Sequence, residues 1–299
     1  MNFGIWENSC KWVWFMNMSS KTLRKMLETG KTLVMPGAYN AFVAKQMAQI
    51  GFPGIYISGA GLANSLGLPD NGTLGREDFL YAGRWISKAV DIPIVCDADT
   101  GFDDIEKTVR HYIEVGFSGL HIEDQVIPKR CGHLSGKEVI GREEMGAKIK
   151  TACAVRDKLN PDFIIIGRTD ARGAENIAEK DQLQESISRG AFYLQQGADM
   201  VFPESLRNKE EFAIYRNQVP GFLMANMTEF GKTPFIKVRE FEAMNYNLVI
   251  FPVSLFRYHA GQTKEFLSRL RELGSQEELV QDMMNRSEIN SILNYEPET

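Results

Sequence analysis

The chain has 299 residues, which fits either two domains of roughly 150 residues or one α/β barrel of about 200 to 250. Hydrophobic residues make up 43% and charged residues 24%, a globular balance that excludes disorder as the main state. The net charge is −5 without a basic block, which argues against a nucleic-acid partner. No apolar run reaches the roughly 18 residues that cross a bilayer, so a membrane role is also excluded.

The cysteines and the amino-terminal segment set the expected compartment. Cys10, Cys96, Cys131 and Cys153 form no CxxC pair, which disfavours structural zinc and a disulfide framework and favours a reducing, cytoplasmic setting. Residues 1–20 are aromatic but unpatterned, and they have neither a secretory nor a transit-peptide pattern. We interpret them as an N-terminal extension without a function of its own.

Short apolar runs recur along the rest of the chain, with stretches of helical period such as 41–51 and 106–116 between them. Each run is too short for a helix and is bounded by Gly, Pro or polar residues, as buried parallel strands are. Strand and helix alternate eight times, so the sequence predicts an α/β protein with a (β/α)8 TIM-type barrel. The eight runs are 33–35, 55–57, 94–96, 120–122, 164–166, 200–202, 222–224 and 249–251.

The predicted barrel spans residues 21–273, and residues 274–299 form a tail beyond it. A helix is expected over 258–273, and Ser275 with Glu278 has the spacing of a capping box that opens one more helix. A closed barrel does not need this element. We expect the tail to pack on another part of the surface or on a second subunit.

Polar residues follow the predicted strands directly, where a barrel of this kind carries its chemistry. Carboxylates after successive strands converge on a small volume and repel one another unless a cation neutralises them. Oxygen ligands suit a hard ion, so the sequence predicts a Mg²⁺ or Mn²⁺ site; the alternative is that these acids cap helices or pair with lysines. The candidates are Ser58, Gly59, Asp97, Asp99, Glu123, Asp124, Arg168, Asp170, Glu204, Asn226, Thr228, Ser254 and Arg257.

The segment from Lys129 to His133 places Cys131 beside Lys129, Arg130 and an imidazole. Two cations and an imidazole lower the pKa of a thiol toward the reactive range, which indicates a catalytic cysteine. The alternative is a basic surface loop with an incidental cysteine. Cys96, Cys153 and His121 lie within apolar patterns and are expected in the core. The chain has neither a Walker-type phosphate loop nor a GxGxxG after a strand.

These motifs together resemble those of the 2-methylisocitrate lyases in the phosphoenolpyruvate mutase and isocitrate lyase superfamily. The resemblance runs from about Leu33 to Tyr295, and KRCGH preceded by IEDQ is its most specific part. The matching motifs are YISGAGLANSLGLPDNG (56–72), DADTGF (97–102), HIEDQVIPKRCGH (121–133), GRTDAR (167–172), FPES (202–205), ANMTEFGKTP (225–234) and FPVSLFR (251–257).

The resemblance implies a role for each matching position. Metal binding falls to Asp97 and Asp99, with Asp70 and Glu123 acting through water, and catalysis to Cys131, His133, Arg168 and the candidate base Tyr56. A metal-bound water is the alternative base. Substrate binding falls to Ser58, Gly59, Ala60, Lys129, Arg130, Gly132, Glu204, Asn226, Thr228, Arg257 and Arg286. The resemblance also implies a homotetramer that exchanges its eighth helices. Ala60 replaces a glycine common in the family, the loop after Phe102 is short, and an insertion lies around 173–181.

The implied activity is Mg²⁺-dependent retro-aldol cleavage of 2-methylisocitrate, a tricarboxylate, to pyruvate and succinate in propionate catabolism. Related substrates remain open: another substituted malate, isocitrate or oxaloacetate. A phosphonomutase of the carboxyphosphonoenolpyruvate type is a further alternative, although mutases generally lack the KRCGH thiol. An inactive barrel with a binding role is the alternative from a different class, and the presence of Cys131 and Asp99 argues against it.

Overall fold

A computed structural model describes residues 18–129 and 136–296. Eight short strands form one sheet in which every paired neighbour runs parallel, in the order β1-β8-β7-β6-β5-β4-β3-β2. Each predicted apolar run is one of these strands. They are β1 (Leu33–Pro36), β2 (Ile55–Ile57), β3 (Ile94–Asp97), β4 (Gly119–Glu123), β5 (Ile164–Thr169), β6 (Met200–Pro203), β7 (Phe222–Asn226) and β8 (Leu248–Phe251).

The two ends of the sheet meet just after β1. Gly37 bridges Tyr56 in parallel, and the Ala38 amide donates a hydrogen bond of 2.9 Å to the Tyr56 carbonyl. β1 pairs with β8 on its other side, so the sheet curls into a nearly closed barrel. The predicted (β/α)8 architecture is confirmed.

Helices alternate with the strands around the outside of this barrel, as the periodicity predicts. Asn40 and Asp104 accept hydrogen bonds from the first turns of α2 and α5, and Gly51 and Gly116 end the same helices in the left-handed conformation. The helices are α1 (18–28), α2 (Ala41–Ile50), α3 (Gly59–Ser65), α4 (Arg76–Ala89), α5 (Ile105–Val115), α6 (Arg142–Leu159), α7 (Gln182–Gln195), α8 (Lys209–Gln218), α9 (Val238–Ala243), α10 (Ser254–Leu273) and α11 (Arg286–Leu293).

The core has an inner and an outer layer. Inward-facing strand residues such as Met35, Val95 and Ile166 pack together inside the barrel, and Leu23 and Leu27 of α1 join this cluster. Two further clusters fill the space between the strands and the surrounding helices. Cys96 and Cys153 are buried, as expected. The packed interior leaves the carboxyl ends of the strands as the place for a site.

The carboxyl-terminal region leaves the barrel wall. α10 buries none of its residues in the single chain, and large apolar side chains such as Tyr258 and Leu267 stand exposed on it. The Ser275 hydroxyl accepts from the Glu277 amide, but the segment Glu277–Asp282 is a 3-10 helix, not the expected α-helix. The capping box forms ten residues later, between Asn285 and Glu288, and opens α11, which packs on α2.

No helix in residues 18–129 and 136–296 combines the length and the apolar character that crossing a membrane requires.

Candidate active site

The end of β3 supplies two carboxylates held by backbone amides. Asp97 Oδ1 accepts from the Asp99 amide at 2.9 Å, and Asp97 Oδ2 accepts from the Gly59 amide at 3.1 Å. Burial raises the pKa of Asp97, but His121, Lys129 and Arg168 lower it further, to about 2. Burial and the neighbouring Asp97 raise the pKa of Asp99 to about 7. Asp97 is therefore fixed as a carboxylate, and Asp99 is a strained neighbour with φ +47°.

Lys129 reaches this pair of aspartates from the segment after β4. Its ammonium lies 3.1 Å from Asp70 Oδ1 and forms an ion pair with Asp99. Burial lowers the pKa of Lys129, but Glu123 and the three aspartates raise it above its ordinary value, so the lysine is charged. The predicted metal-binding and substrate-binding positions thus meet around one buried cation.

Arg168, at the end of β5, is bordered by three carboxylates. Its Nε and Nη2 donate to Asp170 at 2.8 and 3.1 Å, Nη1 lies 3.2 Å from Glu123 Oε2, and Nη2 lies 3.6 Å from Glu204 Oε2. The guanidinium also stacks over the Phe202 ring, with 5.2 Å to the centroid. Burial raises the pKa of Glu123 more than Arg168 and Lys129 lower it.

Tyr56 on β2 faces His121 on β4. A hydrogen bond of 2.6 Å joins the Tyr56 hydroxyl to His121 Nε2, and the same nitrogen lies 3.5 Å from Asp97 Oδ1. Burial lowers the pKa of His121 to about 4, so the imidazole is neutral. Burial and Asp97 raise the pKa of Tyr56. His121 is buried, as expected, but it is a polar partner of the candidate base as well as a core residue.

The far wall of the pocket comes from β7 and the start of α10. Arg257 Nη1 donates to the Thr228 hydroxyl at 3.0 Å and to Glu229 Oε2 at 2.8 Å. The Asn226 amide donates to Glu204 Oε2 at 3.2 Å. This wall presents an arginine, a hydroxyl and an amide together, which are groups that bind carboxylates.

One pocket joins these walls and contains most of the predicted site residues. Gly59 and Asp99 lie directly behind it, around Asp70 and Lys129. Arg286 opens α11 and is exposed, and the pocket lining in its own chain does not include it. Arg130, Cys131, Gly132 and His133 lie outside the described residues. The lining residues are Tyr56, Ser58, Ala60, Asp70, Asp97, Glu123, Lys129, Arg168, Phe202, Glu204, Asn226, Thr228, Ile250, Pro252, Val253 and Arg257.

The charges around the pocket fit a divalent cation. Among the described residues the carboxylates of Asp70, Asp97, Asp99, Glu123 and Glu204 outnumber the three cations of the pocket, Lys129, Arg168 and Arg257. Glu123 Oε1 is buried and has no hydrogen-bond partner in the described parts of the chain. In these parts of the chain, no three His, Cys, Asp or Glu side chains lie close enough together to ligate one ion directly. The donors are oxygens, which suit Mg²⁺ or Mn²⁺.

Three neighbours of the site were not singled out as functional by sequence reasoning. Lys137 contacts Asp170, Glu229 holds Arg257, and Arg189 holds Asp124. Each is one charged residue among many in the sequence, and only the folded chain shows that its partner is a site residue. For Glu229, its place within the ANMTEFGKTP motif was the one available signal.

The fold and the pocket together define an enzyme-type (β/α)8 barrel with an acidic site at the carboxyl ends of its strands. A model of the family described as phosphoenolpyruvate phosphomutase matches residues 23–271. The chain belongs to this family.

Relatives within the family have several activities. The chain is 38% identical over 276 residues to the 2-methylisocitrate lyase of Aeropyrum pernix. The aligned region covers 91% of this chain and 86% of that protein. A solved structure of oxaloacetate acetylhydrolase with 3,3-difluorooxalacetate is 33% identical, covers 93% of both chains and superposes with a TM-score of 0.85. A phosphonopyruvate hydrolase in complex with oxalate and Mg²⁺ is 28% identical, covers 92% of this chain and 95% of that one, and has a TM-score of 0.81.

Proposed function

We propose that the chain is a carbon-carbon lyase that cleaves 2-methylisocitrate into pyruvate and succinate. The likeness to the lyase of Aeropyrum pernix over 91% of the chain supports this substrate. The observation that carries the proposal is the convergence of Asp97, Glu123 and Arg168 from three adjacent strands on one pocket. Carboxylates for a cation and a buried guanidinium are the groups needed to hold a 2-hydroxy acid and the 2-oxo acid that it becomes.

A divalent cation would be held by Asp97 and Asp99, with Asp70 and Glu123 reaching it through water. When bound, it supplies electrostatic stabilisation of the oxygen that develops negative charge, an effect of several kcal/mol. The Gly59 amide fixes the orientation of Asp97 for this task. Mg²⁺ is the proposed ion and Mn²⁺ the substitute. The likeness to a phosphonopyruvate hydrolase whose structure holds Mg²⁺ supports that choice.

The chain's own residues account for the proton transfers. A base removes the proton from the substrate hydroxyl. The candidate is Tyr56, in the pocket, which would accept this proton while its own phenol proton passes to the neutral His121 Nε2, 2.6 Å away. The bond between the hydroxyl-bearing carbon and its neighbour breaks, and its electron pair remains on the carbon of the nascent succinate. The Cys131 thiol donates the proton to this carbon, with His133 and the adjacent cations setting its reactivity. Arg168 pairs with the carboxylate and carbonyl of the nascent pyruvate.

The remaining polar residues would bind the other substrate carboxylates. Asn226, Thr228 and Arg257 form one wall of the pocket, and Glu204 connects this wall to Arg168. Ser58, Gly59 and Ala60 surround the oxo-acid end. From the sequence we assign Lys129, Arg130 and Gly132 to the same binding surface. We also assign Arg286, in the tail, to substrate binding.

Cleavage of oxaloacetate is the second candidate, favoured by the TM-score of 0.85 to oxaloacetate acetylhydrolase. Lyase activity on another substituted malate or on isocitrate uses the same groups. A phosphonomutase does not require the Cys131 thiol, and an inactive barrel does not require a pocket in which carboxylates outnumber cations.

The quaternary structure and the cellular setting are part of the proposal. We propose a homotetramer with exchanged α10 helices, supported by the absence of buried residues along the 20 positions of α10. We assign the enzyme to the cytoplasm and to propionate catabolism. The cysteine pattern supports the first assignment, and the relative's substrate supports the second.

A coupled assay tests the function. The pyruvate formed from 2-methylisocitrate, from 2,3-dimethylmalate or by decarboxylation of oxaloacetate, and the glyoxylate formed from isocitrate, are reduced by lactate dehydrogenase, and loss of NADH absorbance reports the rate. Oxaloacetate is also followed by the oxalate released, because its hydrolysis yields no pyruvate. We expect the highest kcat/KM with 2-methylisocitrate. A higher value with any other acid would reassign the substrate while keeping the site.

A further inference from the structure

Lys137 carries a charge that is entirely buried behind the pocket. It lies between β4 and α6, and its Nζ is 3.1 Å from Asp170 Oδ1; neither side chain of this pair is exposed to solvent. Burial of a lysine is rare because the ammonium loses its hydration, and a buried ion pair is weak evidence for stability. The pair therefore needs a reason other than holding the fold together.

Asp170 contacts the site residue Arg168 as well as Lys137. The Asp170 carboxylate accepts two hydrogen bonds from Arg168, and the same guanidinium also borders Glu123 and Glu204. A guanidinium in contact with three carboxylates has little positive potential left for an anionic ligand. Without a further cation, the group that orients Arg168 would also cancel its charge.

We propose that Lys137 is a positioning residue for Arg168. Its ammonium balances the Asp170 carboxylate, so that Asp170 fixes the guanidinium and leaves its charge available to a 2-oxo acid. This inference rests on the proposed function, since it assumes that Arg168 faces an anionic substrate. It adds a residue that touches neither the substrate nor the cation.

The geometry of Asp170 is maintained independently of Lys137. The Asp170 amide donates to Asp124 Oδ1 at 2.8 Å, and Asp124 Oδ2 accepts from Arg189 at 3.0 Å and from the Tyr193 hydroxyl at 2.7 Å. These bonds hold the backbone at Asp170 from behind. The effect of Lys137 on Arg168 is therefore one of charge, which a substitution can remove without displacing the arginine.

The test measures binding of oxalate, a small dianion of the 2-oxo-acid type, by titration calorimetry in excess Mg²⁺. Lys137→Met keeps the length of the side chain and removes its charge, and we expect the Kd of oxalate to rise about 10-fold. The double variant Lys137→Met/Asp170→Asn removes both charges of the pair. It should recover most of the wild-type affinity, because the net charge beside Arg168 is restored.

Arg172→Met is the matched control. Arg172 is a buried cation on the same segment as Asp170, and its guanidinium is paired with Glu211 at 2.7 Å and donates to Gln182 at 3.0 Å. We expect a lower Tm in this variant but an oxalate Kd within about twofold of wild type. A purely structural role for Lys137 would instead give Lys137→Met the pattern of this control.

A second comparison remains if Lys137→Met fails to fold. Asp170→Asn alone retains the ammonium, and the double variant lacks it, so these two differ only at Lys137. We expect tighter oxalate binding in Asp170→Asn than in the double variant. Equal affinities in that comparison, or wild-type affinity in a folded Lys137→Met, would overturn the inference. A wild-type protein that neither binds oxalate nor cleaves any candidate acid would instead overturn the proposed function.

Discussion

The Gly59 amide donates to Asp97 Oδ2 at 3.1 Å, and a Cβ added at Gly59 would lie 2.9 Å from that same oxygen. The close approach requires a residue without a side chain at this position, because a Cβ would meet the oxygen to which the amide donates. The loop after β2 and the carboxylate after β3 are therefore built as one unit. Any larger residue at position 59 must displace the carboxylate that we assign to the cation.

We expect Gly59→Ala to lower turnover about 10²-fold, because a displacement of Asp97 by a fraction of an ångström misplaces the charge that it supports. The apparent affinity for Mg²⁺, measured by titrating the chelated enzyme, should fall as well. Gly141→Ala is the control, since a Cβ there meets no atom within 4 Å. Equal activity of the two variants would show that the contact between Gly59 and Asp97 has no part in the reaction.

Tyr56 is tested by Tyr56→Phe, which removes the hydroxyl that bonds to His121 and leaves the ring in place. If Tyr56 is the base, kcat should fall by about 10²- to 10⁴-fold with a smaller change in KM. Tyr215→Phe also removes a buried phenol hydrogen bond, here to the Ser186 carbonyl, and lies in a cluster outside the pocket. It should reduce stability by about 1 kcal/mol and leave kcat unchanged. A kcat near wild type in Tyr56→Phe would assign the base elsewhere.

Much of the fold could be predicted because buried parallel strands are continuous apolar runs. All eight runs are strands, and α2 and α5 end at Gly51 and Gly116, the last residues of the predicted helical stretches 41–51 and 106–116. The tail was less predictable. Ser275 and Glu278 have the right spacing for a capping box, yet the capping box forms between Asn285 and Glu288. Local patterns of this kind occur by chance, and packing of α11 on α2 decides between them.

The site was predictable where chemistry follows a strand directly. Asp97, Glu123, Arg168 and Glu204 do so, and they meet in one pocket. Lys137 could not be found in this way, because its partner Asp170 is 33 residues away in the sequence. Interactions of that kind depend on tertiary structure, and a lone charged residue in a sequence is usually a solvated one.

Cys131 lies outside the described residues, and its role is predicted from its neighbours in the sequence. We expect iodoacetamide to alkylate Cys131 before Cys96 or Cys153, since burial raises the pKa of both of those thiols. Cys131→Ser should lower kcat about 10²-fold or more with a smaller effect on affinity. Mass spectrometry of tryptic peptides identifies the labelled residue. Preferential labelling of Cys96 or Cys153, or near wild-type turnover in Cys131→Ser, would assign the proton donor elsewhere.

The proposed homotetramer rests on the family resemblance and on the surplus tail helix, and the exposed apolar residues along α10 offer a surface for subunit contact. Leu267 is 55% exposed in the single chain, and Leu267→Glu places a charge where we expect a subunit contact. Light scattering should then show a smaller assembly for Leu267→Glu, and also for a chain truncated before Ser275. Ile214→Glu on α8, where the side chain is 41% exposed, is the control and should leave the tetramer intact. A wild-type monomer with full activity would contradict the proposed assembly.

Pyruvate formation from 2-methylisocitrate by chelated enzyme, before and after Mg²⁺ is restored, is the most direct test. The same measurement on Asp97→Ala and Asp99→Ala, with exposed Asp103→Ala as control, links the ion to its proposed ligands. We expect turnover to be absent in excess chelator and restored by Mg²⁺ in the wild type and in Asp103→Ala, but not in the two site variants. Full turnover in chelator, or in either site variant, would contradict a metal-dependent lyase at this pocket.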